Sequence, residues 1–149
     1  MDKQRTLVLI KPDSVQRGLA GRIIARFEER GYQLAAARLI RMDGDLAARL
    51  YEPHVGKGFY PPLVEYMTSG PILALCVEGY GVIDGVRKMM GATDPSKAEP
   101  GTVRGDFAQR VDRNCVHGSD SPESAERELP IFFAAKDLID YSATFTQWT

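Results

Sequence analysis

The chain has 149 residues, 44% hydrophobic and 26% charged, enough for one domain with a real core. A net charge of -1 supplies no basic field for nucleic acid or an anionic membrane, so any anion must be held by locally placed cations. Cys76 and Cys115 do not make a disulfide framework, and both read as packing residues. The chain opens Met-Asp-Lys-Gln-Arg without an apolar signal segment, and no apolar run nears the ~20 residues that span a bilayer. A reducing, cytoplasmic compartment is the expectation.

Thr6 to Ile10 reads as a buried strand, stopped by Lys11-Pro12-Asp13. Gly21 to Arg30 places Ile23, Ile24 and Phe27 at helical spacing, with Gly31 as a C-terminal stop. Gln33 to Arg41 is a second strand, and Asp43 caps a short helix through Leu50. Pro61-Pro62 open another helix, ended by Ser69-Gly70-Pro71. Ile72 to Val77 is a third strand, and Val82 to Met90 is a helix ended by Gly91. From Ala92 to about Asn114 little periodicity remains, which predicts a long functional loop. Ser121-Pro122 start a short helix, Leu129 to Ala134 reads as a fourth apolar strand, and Asp137 to Ile139 as a last helical turn. This order suits an α/β (α+β) ferredoxin-like sandwich over residues 1–149: a four-stranded antiparallel sheet with helices on one face. That layout also serves RNA-binding modules, so the site must decide the function.

The octet Asn114-Cys115-Val116-His117-Gly118-Ser119-Asp120-Ser121 holds one of two histidines. Gly118 leaves His117 uncrowded on one side, and a histidine in such a polar turn can act as a nucleophile. The octet resembles the active-site signature of the nucleoside diphosphate kinases. So do Lys11-Pro12-Asp13, Gln16-Arg17-Gly18-Leu19, Ser69-Gly70-Pro71 and Pro100 to Phe107, in that order along nearly the whole chain.

The resemblance implies a phosphotransferase that moves the terminal phosphoryl group of a nucleoside triphosphate, typically ATP, to a nucleoside diphosphate. The route is ping-pong through phospho-His117, with little base specificity. Arg87 and Arg104 would clamp the outer phosphates, since guanidinium forks suit phosphate oxygens, helped by Thr93 and His54. Lys11 and Asn114 would hold the sugar 3'-hydroxyl, and Tyr51 would lie near the phosphorylated histidine. Glu128 would support the imidazole, with Ser119 bonded to Glu128. Phe59 and Val111 would sandwich the nucleobase, using the π-face that all bases share. No metal-ligand cluster is present, so Mg2+ would arrive with the nucleotide, held mainly by phosphates and water. A homo-hexamer is implied by the length of the tail, in which Tyr141, Phe145 and Trp148 cluster.

The chain departs from the family pattern in places. Lys57-Gly58 replace Arg-Pro before Phe59, Asp112 stands where glycine is common, and Phe132 replaces a tryptophan beside Pro130. A carboxylate at Asp112 could shade base preference. Two other classes fit less well. A scaffold protein would not need His117, Arg87 and Arg104 together, and a single-stranded nucleic-acid module lacks its aromatic motif and its positive charge. A P-loop kinase is excluded, because no G-x-x-x-x-G-K-[ST] occurs.

Overall fold

Strand β1 (Lys3–Ile10) lies inside the sheet, and the computed structural model, which describes residues 2–149, shows why its apolar run is unbroken. Leu7 and Leu9 point to one face, into a core with Ala47, Leu50, Met67 and Phe132. Val8 and Ile10 point to the other, against Ile23, Phe27, Val86 and Met90. A strand covered on both sides has no need of polar alternation. Helices therefore pack on both faces, not on one as the sequence reading had it.

Strands β2 (Gln33–Arg41) and β3 (Pro71–Tyr80) and a three-residue β4 (Val116–Gly118) complete an antiparallel sheet of order β2-β3-β1-β4. In the register of β1 with β4, Leu9 faces His117. Lys11 thus follows an interior strand of the sheet. On β2 a bulge between Leu34 and Ala36 leaves the Ala35 carbonyl free, and Ile139 N–H fills it at 2.8 Å.

Helices α1 (Pro12–Gln16), α2 (Ala20–Glu29), α3 (Gly44–Leu50), α4 (Tyr60–Met67) and α5 (Val82–Met90) fall close to their expected spans. Asp43 caps α3 by accepting from Leu46 N–H at 2.8 Å, as its position predicts. Gly91 ends α5 with φ 83, and a Cβ there would collide with Thr102. The segment after it is less irregular than expected. It contains a 3-10 turn (Pro95–Lys97) capped by Asp94 and a short helix α6 (Val103–Phe107) capped by Thr102.

The fourth strand is where the sequence reading goes wrong. Leu129 to Phe132 belong to α7 (Pro122–Phe132), and the strand is Val116–Gly118. Ser121 accepts from Ser124 N–H at 3.1 Å, and Pro122 presets the first turn. Ala125, Leu129 and Phe132 then fall on one buried helical face. The last turn of the chain's body is a 3-10 turn at Ala135–Asp137, two residues earlier than expected. Among the described residues no helix is long and apolar enough to cross a membrane.

Candidate active site

His117 sits mid-way along β4, and α7 lies beside it. Its Nε2 is 2.8 Å from Glu128 Oε1. A carboxylate can only accept there, so Nε2 carries the proton and Nδ1 keeps its lone pair. Ser119 Oγ donates to the same Glu128 Oε1 at 2.9 Å and accepts from Leu7 N–H at 3.3 Å, which ties the pair to β1. Burial pushes the Glu128 carboxyl up, but the hydrogen bond and charge of His117, with help from Ser119 and Arg127, hold it net below the usual glutamate range. The imidazole is therefore braced by a carboxylate on one side and open on the other.

Backbone geometry next to it is unusual. Cys115 adopts φ 75, the one non-glycine residue with positive φ among those described. The turn aims its carbonyl at Lys11 N–H, 2.9 Å away, and at Ser14 Oγ, 3.1 Å away. The thiol itself is fully buried and burial pushes it up, so packing is its role.

His117 opens on a cavity of about 590 Å³. Lys11, Tyr51, His54, Phe59, Arg87, Thr93, Arg104, Val111, Asn114 and Glu128 all contribute to its walls, so twelve dispersed candidates, counting His117 and Ser119, come together around one centre. Lys11 Nζ donates to Asn114 Oδ1 at 2.8 Å, and Asn114 Nδ2 to the Thr93 carbonyl at 3.0 Å. Arg104 is only 3% exposed, and its guanidinium bonds the carbonyls of Asn114, Gly91 and Val116 at 3.1, 3.0 and 2.7 Å. It therefore cross-links the end of α5, the loop and β4, a second task the sequence did not reveal. Desolvation lowers Lys11 to about 8, with the Arg104 charge adding to it. Desolvation and the Arg87 charge bring Arg104 down to about 10. Cations crowded until they disfavour one another, in a cleft, mark a place prepared for an anion.

Two polar atoms in these walls, Tyr51 OH and His54 Nδ1, are buried without a partner among the described residues. Burial and the Glu128 charge both raise the Tyr51 phenol, so it stays a neutral donor. Such groups call for an occupant. At the mouth, Phe59 and Val111 are 52% and 57% exposed, large apolar surfaces left in water. A second cleft of about 550 Å³ continues past them, walled by Leu63, Tyr66, Asp112 and Arg113.

Sequence reasoning passed over Arg127. Its guanidinium donates to the carbonyls of Arg49 and Leu50 at 3.0 and 2.9 Å and lies 3.6 Å from Glu128 Oε2. It thereby closes the C-terminal end of α3, which leads into Tyr51, against the helix that carries Glu128. Only its position next to Glu128 hinted at this.

Fold and cleft together define a class: an α/β sandwich with a braced histidine facing an anion-receptive cavity. A family model described as nucleoside diphosphate kinase matches residues 4–138. Nucleoside diphosphate kinases from Thermosynechococcus vestitus and Pelotomaculum thermopropionicum are 52% and 50% identical over 145 residues, each match covering 97% of both chains. The solved structure of a nucleoside diphosphate kinase from Halobacterium salinarum, in complex with CDP, is 40% identical. It superposes with a TM-score of 0.96 over 99% of this chain and 98% of that one. The chain belongs to the nucleoside diphosphate kinase family.

Proposed function

We propose that the protein moves the terminal phosphoryl group of a nucleoside triphosphate to a nucleoside diphosphate in two steps through His117. The observation that carries this is His117 itself: Nε2 is committed to Glu128 and Nδ1 makes no hydrogen bond among the described residues, beside a cavity lined by Lys11, Arg87 and Arg104. In the first step the bond between the γ-phosphorus and its bridging oxygen breaks, a P–Nδ1 bond forms, and the diphosphate leaves. The Nε2 proton stays between imidazole and carboxylate, where Glu128 offsets the positive charge that grows on the ring. The second step is the reverse, with a different diphosphate as acceptor.

In this reading Arg87, Arg104, Thr93 and His54 receive the outer phosphates, and Tyr51 offers its free hydroxyl near the transferred group. Lys11 and Asn114, already 2.8 Å apart, share the ribose 3'-hydroxyl. Phe59 and Val111 stack the base. Among the described residues there is no cluster of three or more His, Cys, Asp or Glu side chains fit to hold a metal. Mg2+ would arrive with the phosphates and water and neutralise phosphate charge, and Asp120 is a carboxylate on the same cavity wall. In this reading the enzyme works in the cytoplasm as one domain in a homo-hexamer, with nucleotides and no nucleic acid as its primary partners.

Incubation with γ-labelled ATP should label the wild-type protein, with a bond labile to acid and stable to alkali. An unlabelled diphosphate should then remove the label. The His117→Ala variant should take up none; labelling at normal stoichiometry in that variant would overturn the assignment.

A further inference from the structure

The turn that carries Val111 is braced more heavily than an exposed loop tip needs. Arg113 N–H closes it onto the Arg110 carbonyl at 3.1 Å. Arg110 Nε and Nη2 each bond one oxygen of Asp112 at 3.0 Å, and Arg113 Nη1 bonds the Asp112 carbonyl at 2.6 Å. The Arg113 guanidinium then reaches across the cleft and lies 4.5 Å from the ring centroid of Tyr66. Tyr66 is buried on α4, the helix that Phe59 leads into, and its hydroxyl bonds Asp13 in α1. One guanidinium thus links the wall that bears Val111 to the wall that bears Phe59.

We infer that Arg113 is a positioning residue that fixes the spacing of Phe59 and Val111 and so sets the grip on the nucleobase. The inference rests on reading those two residues as the base platform. It also assigns Asp112 a task. Both of its carboxylate oxygens are engaged by Arg110, so it rigidifies the turn rather than reading base edges. The Arg110–Asp112 pair is open to water and by itself worth little. The guanidinium–ring contact bridges two separate segments, and such contacts are worth roughly 1 kcal/mol at partly exposed sites, or about fivefold in an equilibrium.

The test compares Arg113→Ala, Arg113→Lys and Phe59→Ala with wild type on nucleotides and on phosphoramidate. Phosphoramidate is a phosphoryl donor without a base: its P–N bond breaks, ammonia leaves, and the phosphohistidine forms. Arg113→Ala should raise the KM of every nucleotide about fivefold, with the loss falling on KM rather than kcat and largely absent with phosphoramidate. Arg113→Lys, which keeps the charge but not the flat face, should recover part of the difference. Asp112→Asn should raise KM by one common factor for ADP, GDP, CDP and UDP. Equal losses with phosphoramidate, or a re-ranking of bases in Asp112→Asn, would overturn the inference. An unchanged KM in Arg113→Ala alongside a raised one in Phe59→Ala would overturn the strap alone. An unchanged KM in both would overturn the base platform on which it rests.

Discussion

Lys11 shows how a single residue's burial becomes a measurable property of the site. The residue is 8% exposed, its ammonium lies near the Arg104 charge, and only Asp13 and the Cys115 sulfur pull in the other direction. Desolvation and the neighbouring charge bring it from 10.5 to about 8. A base lowered in this way is charged below that value and loses its proton as pH rises through it. The folded state therefore bears the cost of a buried cation below about pH 8, and that cost fades between about 8 and 10.5. Substrate capture runs the other way, because the cation is what an incoming anion meets. The kcat/KM profile, which reports the free enzyme, should fall above about pH 8. The kcat profile should fall later, because the negative charge of the bound nucleotide holds the proton on Lys11. Lys11→Arg should flatten the kcat/KM limb, since a guanidinium stays charged. A limb that persists unchanged in that variant would assign it to another group.

At the scale of elements, the sequence was legible where periodicity is long and the caps are explicit. Strands β1 and β2 and helices α2 and α5 fall within a few residues of their expected limits, because each carries four or more apolar positions in one pattern. Strand β4 has three residues and one apolar side chain outside His117 and Gly118, too little pattern to read. Leu129 to Ala134 looked like a strand because a short apolar run has no period of its own. The cap at Ser121, twelve residues ahead of Phe133, decides it in favour of helix. The candidate residues that line one cavity were legible because they came from ordered motifs, while Arg113 and Arg127 act across the chain and leave no local trace. Pro130 sharpens the point. It lies exposed in the last turn of α7, where it removes a helical N–H donor. Pro130→Ala restores that donor and gains helix propensity, against a smaller entropic loss in the unfolded chain. The variant should be more stable by roughly 1 kcal/mol, a rise of a few degrees in Tm at fixed protein concentration. A lower Tm would mean that no helical partner waits for the restored donor and that the proline's restriction of the unfolded chain dominates.

At the scale of the whole molecule, the surface left in water argues for assembly. The tail is tied down at Tyr141, where Gln33 Nε2 bonds its carbonyl at 2.9 Å and its hydroxyl bonds the Leu34 carbonyl at 2.7 Å, and Thr149 returns against Gly31. Beyond Tyr141, Trp148 is 81% exposed, and Leu39 on the edge strand β2 is 66% exposed. Open edges and large apolar side chains of this kind are normally covered. The long loop has more internal support than its sequence suggested. Arg26 holds it through Asp106 at 2.6 Å and the Gly101 carbonyl at 3.0 Å, Arg104 pins it to β4, and Pro95 is buried. The case for neighbours therefore rests on the tail and the β2 edge more than on the loop. A dimer formed across an edge and repeated about a threefold axis closes as a hexamer, one of the symmetric solutions open to such a surface. Sedimentation at micromolar protein should give a mass of six chains. Removing residues 142–149 should weaken that assembly, and Pro95→Ser should loosen it less, because Pro95 packs within its own chain. A stable, active monomer would mean that Leu39 and Trp148 are tolerated in water, while a tetramer would keep the edge contact and reject the tail as the feature that selects six.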